Sequence, residues 1–185
     1  MVSQSLYTIG YGSRTPEDFI ALLKNYKIDY LIDVRSSPYS KFNPKFNQNE
    51  LKFLLKKNNI KYAFMGDTLG GRPTDISCYD NEGKVDYLSI REKSFFINGI
   101  SRLESASSQM LNVALMCSES NPCDCHRSKL IGRVLVTKNI VLNHIDERGR
   151  VKDQFTVINE LNKGIPDSDL FGTSANSHTS RKKYL

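Results

Sequence analysis

Five short apolar runs, separated by stretches with helical spacing, limit this chain to few folds. They are Leu6 to Ile9, Tyr30 to Val34, Tyr62 to Met65, Val113 to Met116 and Ile140 to Ile145. Between the first two, Thr15-Pro16-Glu17-Asp18 reads as an N-cap, a proline in the first helical position and acids in the first turn, and Phe19, Ile20, Leu22 and Leu23 then form one buried face. Further helices are expected at Asn47 to Lys57, on the Leu51, Leu54 and Leu55 face, at Tyr87 to Leu103, with Phe95, Phe96 and Ile100 inward, and at Phe155 to Leu161. Short apolar strands alternating with helices are the pattern of a parallel sheet covered on both sides. The expected fold class is therefore α/β: a single domain over residues 1–163, with a mostly parallel sheet of about five strands and helices on both faces. From Gly164 onward serine, threonine and asparagine rise and apolar residues thin out, so 164–185 is expected to be a poorly ordered polar tail, pinned if anywhere by Leu170-Phe171.

In such a sheet ligands bind beyond the carboxyl ends of the strands. The unusual residues of this chain fall there: Gly10 to Gly12, Asp33 to Ser37, Gly70 to Arg72 and Cys117 to Arg127. Gly10, Tyr11 and Gly12 suggest a phosphate loop, although a third glycine at the dinucleotide spacing is missing and Glu17 and Asp18 already complement the following helix end. The segment Ser36 to Phe46 is a polar loop with two prolines and aromatics interleaved with lysines, and loops of that length tend to be functional.

The richest stretch is Leu111 to Arg133. A continuous apolar run is followed by Ser-Glu-Ser-Asn-Pro, and Leu130, Ile131, Val134 and Leu135 then recur at helical spacing, giving strand, loop and helix. Three of the four cysteines, Cys117, Cys123 and Cys125, lie in that loop, and His126, Arg127 and Lys129 fall in the first helical turn. Cations oppose the macrodipole at a helix N-terminus, so the turn calls for an anion: a thiolate, a phosphate or a nucleic-acid backbone. Cys125 beside His126 and Arg127 is placed where a thiol ionises readily, with Glu119 as the acid or base. Cys117, Cys123, Cys125 and His126 are ligand types that zinc accepts, but Cys123-Asp124-Cys125 is unlike the usual knuckle spacing and no second pair exists, so no metal ligand is assigned. Cys78 stands alone without a role, and His144, in an apolar strand, reads as a core histidine.

Four cysteines in 185 residues are too few for a disulfide scaffold. No run approaches the roughly 18 to 20 apolar residues of a membrane span, and the N-terminus shows neither a basic region nor a long apolar one, so the expected location is the cytoplasm. The net charge of +6 is uneven: from Arg35 to Ala63 seven basic residues face one acid, Glu50. A positive stripe of this kind favours an acidic partner, nucleic acid first, with a solvated lysine-rich helix face as the plainer cause.

With those loops identified, the chain resembles the family known as domain of unknown function 488. The matching pieces are Thr8-Ile9-Gly10-Tyr11-Gly12, Asp33-Val34-Arg35 with Pro38 and Ser40, Leu69-Gly70-Gly71, and Cys117-Ser118-Glu119 followed by Cys125-His126-Arg127. The resemblance runs from about Leu6 to about Leu135; it implies a cytosolic α/β protein and brings no activity. Cys123 and Asp124 lie outside it. Asp33-Val34-Arg35 also looks like the tripeptide of rhodanese domains, but the arginine that closes a reactive-cysteine loop is missing at the required spacing from both Cys117 and Cys125.

The reading that unites these features is an enzyme at the carboxyl edge of the sheet acting on a nucleotide, a nucleic acid or another phosphate-bearing substrate. Cys125, Cys117, Glu119 and His126 form its reactive group. Arg35, Arg72 and Arg127, with Asp33 orienting Arg35 and with Gly10, Tyr11 and Gly12, form its phosphate-binding wall. No cofactor is specified. The alternative is a non-catalytic nucleic-acid-binding or sensing module in which the lysine stripe matters and the cysteines are structural.

Overall fold

The computed structural model describes residues 5–163 and 178–185. In chain order its strands and α-helices are Leu6–Gly10 (β1), Pro16–Asn25 (α1), Tyr30–Asp33 (β2), Gln48–Lys57 (α2), Lys61–Phe64 (β3), Gly66–Leu69 (α3), Lys84–Asp86 (β4), Tyr87–Arg91 (α4), Ser94–Ser108 (α5), Val113–Cys117 (β5), Arg133–Thr137 (α6), Leu142–Ile145 (β6), Val151–Asp153 (β7), Gln154–Leu161 (α7) and Thr179–Lys183 (β8). A π-helical turn, Arg127–Gly132, runs directly into α6. Each apolar run has become a strand, and the fold is α/β. Among the described residues, no helix is long and apolar enough to cross a membrane.

The main sheet has six strands in the order β3-β2-β5-β1-β6-β7, parallel except for the antiparallel edge β6/β7, one strand more than the apolar runs count. Val151–Asp153 escapes a reading by hydrophobicity because it carries a single apolar residue on an edge. In β5 Val113, Leu115 and Cys117 pack on one side with Leu69, Phe96, Ile100 and Leu130, while Ala114 and Met116 pack on the other with Phe19, Leu23, Leu51 and Leu55. So α1 and α2 cover one face and α3 to α6 the other. Thr15 caps α1 as its sequence indicates, accepting a hydrogen bond from the Asp18 backbone N–H.

The helix expected from Tyr87 to Leu103 is two helices. Unbroken, it would turn Tyr87 by more than a third of a turn, and Ile90 by about a fifth to two fifths, away from Phe96, Ile100 and Leu103. Extended backbone at Lys93 (φ −78°, ψ 136°) resets the phase, and all five side chains enter one apolar cluster. Of the segment expected to be a poorly ordered tail, Thr179–Lys183 is strand β8, antiparallel to β4; Leu170 and Phe171 lie outside the described residues.

One consequence of the strand order places the site. The chain leaves β1 through α1 on one face and leaves β5 through α6 on the opposite face, although β1 and β5 are neighbours. Crossovers that part in this way open a crevice at the carboxyl ends of the two strands.

Candidate functional site

The crevice is held open and lined by backbone as much as by side chains. Tyr11 N–H donates to the Cys117 carbonyl (3.2 Å) and Gly12 N–H to the Ser118 carbonyl (2.9 Å), tying the loop after β1 to the loop after β5. A Cβ on Gly10 would run into the Glu119 carbonyl, and Gly12 has φ +49° with the Ser120 side chain against it. These glycines serve close approach of two loops. Tyr11 lines the resulting cleft, and Gly10 and Gly12 are not among its lining residues.

Cys117 ends β5 on the α5 side of the sheet, and the chain then turns through Ser118-Glu119-Ser120 and the short 3-10 turn Pro122–Asp124 before Cys125 and His126 lead into the π-helical turn. Glu119 Oε2 lies 3.0 Å from Cys117 Sγ and 3.4 Å from Cys125 Sγ. His126 Nδ1 lies 3.9 Å from Cys117 Sγ and 3.7 Å from Cys125 Sγ. The other ring nitrogen, Nε2, is 3.1 Å from the Val34 carbonyl, which can only accept, so Nε2 carries a proton and Nδ1 faces the sulfurs. Gly71 packs against this ring, and any larger residue would displace it. Arg127 is fully buried beneath the sulfurs; its Nε donates to Cys125 Sγ (3.0 Å) and its Nη2 to the Glu119 carbonyl.

The two cysteines behave as a pair. Burial opposes a charge on Cys125, but a hydrogen bond from Cys117, the Arg127 guanidinium and His126 outweigh it and hold its thiol well below the ordinary value. The hydrogen bond to Cys125, together with burial, holds Cys117 well above it. Burial likewise works against a charge on His126, and the neighbouring Cys125 more than offsets this and raises it. Cys123 stands apart: its Sγ turns to the Val157 carbonyl (3.5 Å) and Glu160 (3.7 Å), and burial with the Glu160 charge pushes its thiol up to about 11. His144 is a satisfied core residue, bonded to Thr8 Oγ1 (2.8 Å) and Gln154 Oε1 (2.6 Å), and burial lowers it to about 4.

On the facing wall Asp33, fully buried at the end of β2, holds Arg35 through two contacts, Nε to Oδ1 (2.9 Å) and Nη2 to Oδ2 (2.6 Å), and Tyr62 Oη also donates to Oδ2 (2.9 Å). Arg35 Nη2 further donates to the Phe46 carbonyl (2.9 Å), and Nη1 has no hydrogen-bond partner among the described residues. The guanidinium lies 5.4 Å from the Tyr11 ring centre.

Arg35, Arg72, Tyr11, Cys117, Glu119 and His126 thus line one cleft of about 340 Å³. Cys125 and Arg127 stand behind that lining and touch it through Cys117 and Glu119. The sequence reading missed the contribution of β8: Ser180, Arg181, Lys182 and Tyr184 complete the cleft, Tyr184 beneath Arg72 (5.2 Å to the ring centre) and Arg181 beside Asp124 (3.3 Å). The available signal was the run Arg181-Lys182-Lys183-Tyr184, basic and aromatic in an otherwise polar segment. The lysine stripe lies along α2 and β3, where Lys52, Lys57 and Lys61 rest on Tyr62, Phe53 and Tyr30.

A family model described as domain of unknown function DUF488 matches residues 15–134, from the cap of α1 to the start of α6. It therefore takes in Asp33, Arg35, Arg72 and the whole cysteine loop but neither β1 nor β8. No curated protein matches the chain.

Proposed function

Since this chain belongs to the DUF488 family, whose description assigns no activity, we propose from its site alone that it is an enzyme acting on a phosphate-bearing substrate, a nucleotide or a nucleic-acid strand. One observation carries the reading: the cations Arg35, Arg72, Arg181 and Lys182 share a single cleft with Cys117, Glu119 and His126. Among the described residues two acids line the cleft; Asp124 is engaged by Arg181 and Arg35 is paired with Asp33 behind it, which leaves Arg72 and Lys182 against Glu119. A cleft so balanced favours an anion, and guanidinium groups suit the paired oxygens of a phosphate. Tyr39, largely exposed at the mouth, and Tyr184, half exposed under Arg72, offer ring faces for a base. The reacting atom is then set against the cluster of Cys117, Glu119, Cys125 and His126.

Titration calorimetry with nucleoside monophosphates and short single strands tests this. Binding should weaken with salt, and Arg72→Gln should cost about tenfold in affinity, as the loss of one charged contact does. Neither binding nor turnover of any nucleotide or strand at low salt would overturn it.

A second reading has its own observation. Phe42 is 93% exposed between Lys41 and Lys45, on the loop that also brings Tyr39 and Ser40 to the cleft. A non-catalytic nucleic-acid-binding module would use that surface, and Phe42→Ala would then weaken strand binding more than Arg72→Gln does.

A further inference from the structure

We propose that Cys117, Cys125 and His126 hold one zinc ion whose fourth position opens to the cleft, with Glu119 beside that position as the base for a bound water. The sequence argues against a metal through the spacing of Cys123 and Cys125, but Cys123 has no part in the cluster: its sulfur points to Val157 and Glu160. The three donors that do converge, two sulfurs and one ring nitrogen, lie within 4.8 Å of one another and are all buried.

Their spacing is that of a coordination shell. Tetrahedral zinc with bonds of about 2.3 Å to sulfur and 2.0–2.1 Å to nitrogen has sulfur–nitrogen edges of roughly 3.6 Å. The observed separations of 3.9 and 3.7 Å need shifts of a few tenths of an ångström. The second layer is also in place. The Val34 carbonyl holds a proton on His126 Nε2 and so turns Nδ1, the atom that would take the metal, toward the sulfurs, the arrangement that orients a metal-bound histidine. Arg127 Nε donates to Cys125 Sγ, as a partner to a ligating thiolate would. Two thiolates neutralise a divalent cation, and the Glu119 carboxylate, beyond ion-pair distance, offsets the Arg127 charge, so the buried group sums to no net charge.

Cys117 and His126 line the cleft, and Glu119 stands at its floor in reach of both sulfurs. The chemistry this allows is hydrolysis. Glu119 takes a proton from the bound water, the resulting hydroxide oxygen bonds to an electrophilic carbon or phosphorus of the substrate, and the leaving group departs with its electron pair and receives the proton from Glu119. No oxidant or reductant enters. Only the identity of the molecule hydrolysed rests on the nucleotide reading above.

The test is the metal content of the full chain, expressed with zinc and purified without chelator. About one zinc per chain is expected, and Cys117→Ala, Cys125→Ala and His126→Ala should each lower it roughly tenfold or more, while Cys123→Ser and Cys78→Ser leave it unchanged. Because a ligand variant can fail to fold, the unaltered protein is also loaded with cobalt(II), which should show the near-ultraviolet thiolate charge-transfer band and intense visible bands of a tetrahedral site. Metal-free protein without those bands overturns the proposal, as does loss of zinc from Cys123→Ser. Glu119→Gln should keep the zinc and abolish turnover; loss of zinc there would make Glu119 the fourth ligand and close the open position. Arg72→Gln should bind zinc fully, so zinc without nucleotide binding removes the preceding reading alone, and nucleotide binding without zinc removes this one alone.

Discussion

Arg35 and Arg127 are buried guanidiniums at two ends of the same site, and the fold neutralises them differently. Arg35 is gripped by Asp33, the carboxylate that ends β2 two residues before it and is itself fixed by Tyr62. Arg127, fully buried, has no carboxylate within ion-pair distance among the described residues; it meets the sulfur of Cys125 and the carbonyl of Glu119. The first charge is balanced whatever fills the cleft. The second depends on the charges of the cysteine cluster, Glu119 included, so the reactive cluster is part of what holds that end of the molecule together.

This contrast can be broken by measurement. Asp33→Ala would leave the Arg35 charge buried and unpaired, and should cost about 3–5 kcal/mol in urea unfolding. The floor near Arg127 should respond to acid: His144 titrates at an ordinary value of 6.5 when unfolded and at about 4 in the fold. The unfolded chain therefore binds the extra proton first as pH falls, so this contribution is complete above pH 6.5 and is lost on the way down to about 4. Its size is on the order of 3 kcal/mol, and unfolding curves at pH 7 and 4.5 should lose that slope in His144→Gln. Arg127→Met removes the donors to Cys125 and Glu119 and should cost about 1–3 kcal/mol; a loss as large as that of Asp33→Ala would erase the distinction. Smallest of all, Asp124→Asn breaks the half-exposed contact with Arg181 and should change stability by less than about 1 kcal/mol.

The sheet was legible because strands buried on both faces have to be apolar, and β1, β2, β5 and β6 announce themselves in that way, while β3, an edge strand only partly covered, shows through its short apolar run. β7 and β8 do not: one carries a single valine on an edge, and the other pairs a basic stretch with β4 outside the main sheet. Hydrophobic periodicity also cannot register a change of phase, which is why α4 and α5 read as one helix. For the site, the cysteine loop and the arginines were visible as residue types at strand ends. Which sulfur turns inward was not, since Cys123 and Cys125 are two residues apart and their directions depend on the 3-10 turn between Asn121 and Cys125. Nor could spacing show that Arg127 stands behind Cys117 and Glu119, because its burial follows from the π-helical turn it begins.

β1 lies in the interior of the sheet, yet Tyr7 pairs with Ala114 and Leu6 with Leu142, each more than a hundred positions further along the chain. A central strand that gains its ladder only through such distant partners makes the topology one of high contact order, and folding correspondingly slow. During translation Gly10 and Tyr11 must wait until β5 has emerged before the crevice can form. From then until the sheet closes over them the thiols of Cys117 and Cys125 are solvated and accessible to oxidants, so refolding yield should depend on reductant far more than the finished molecule's stability does.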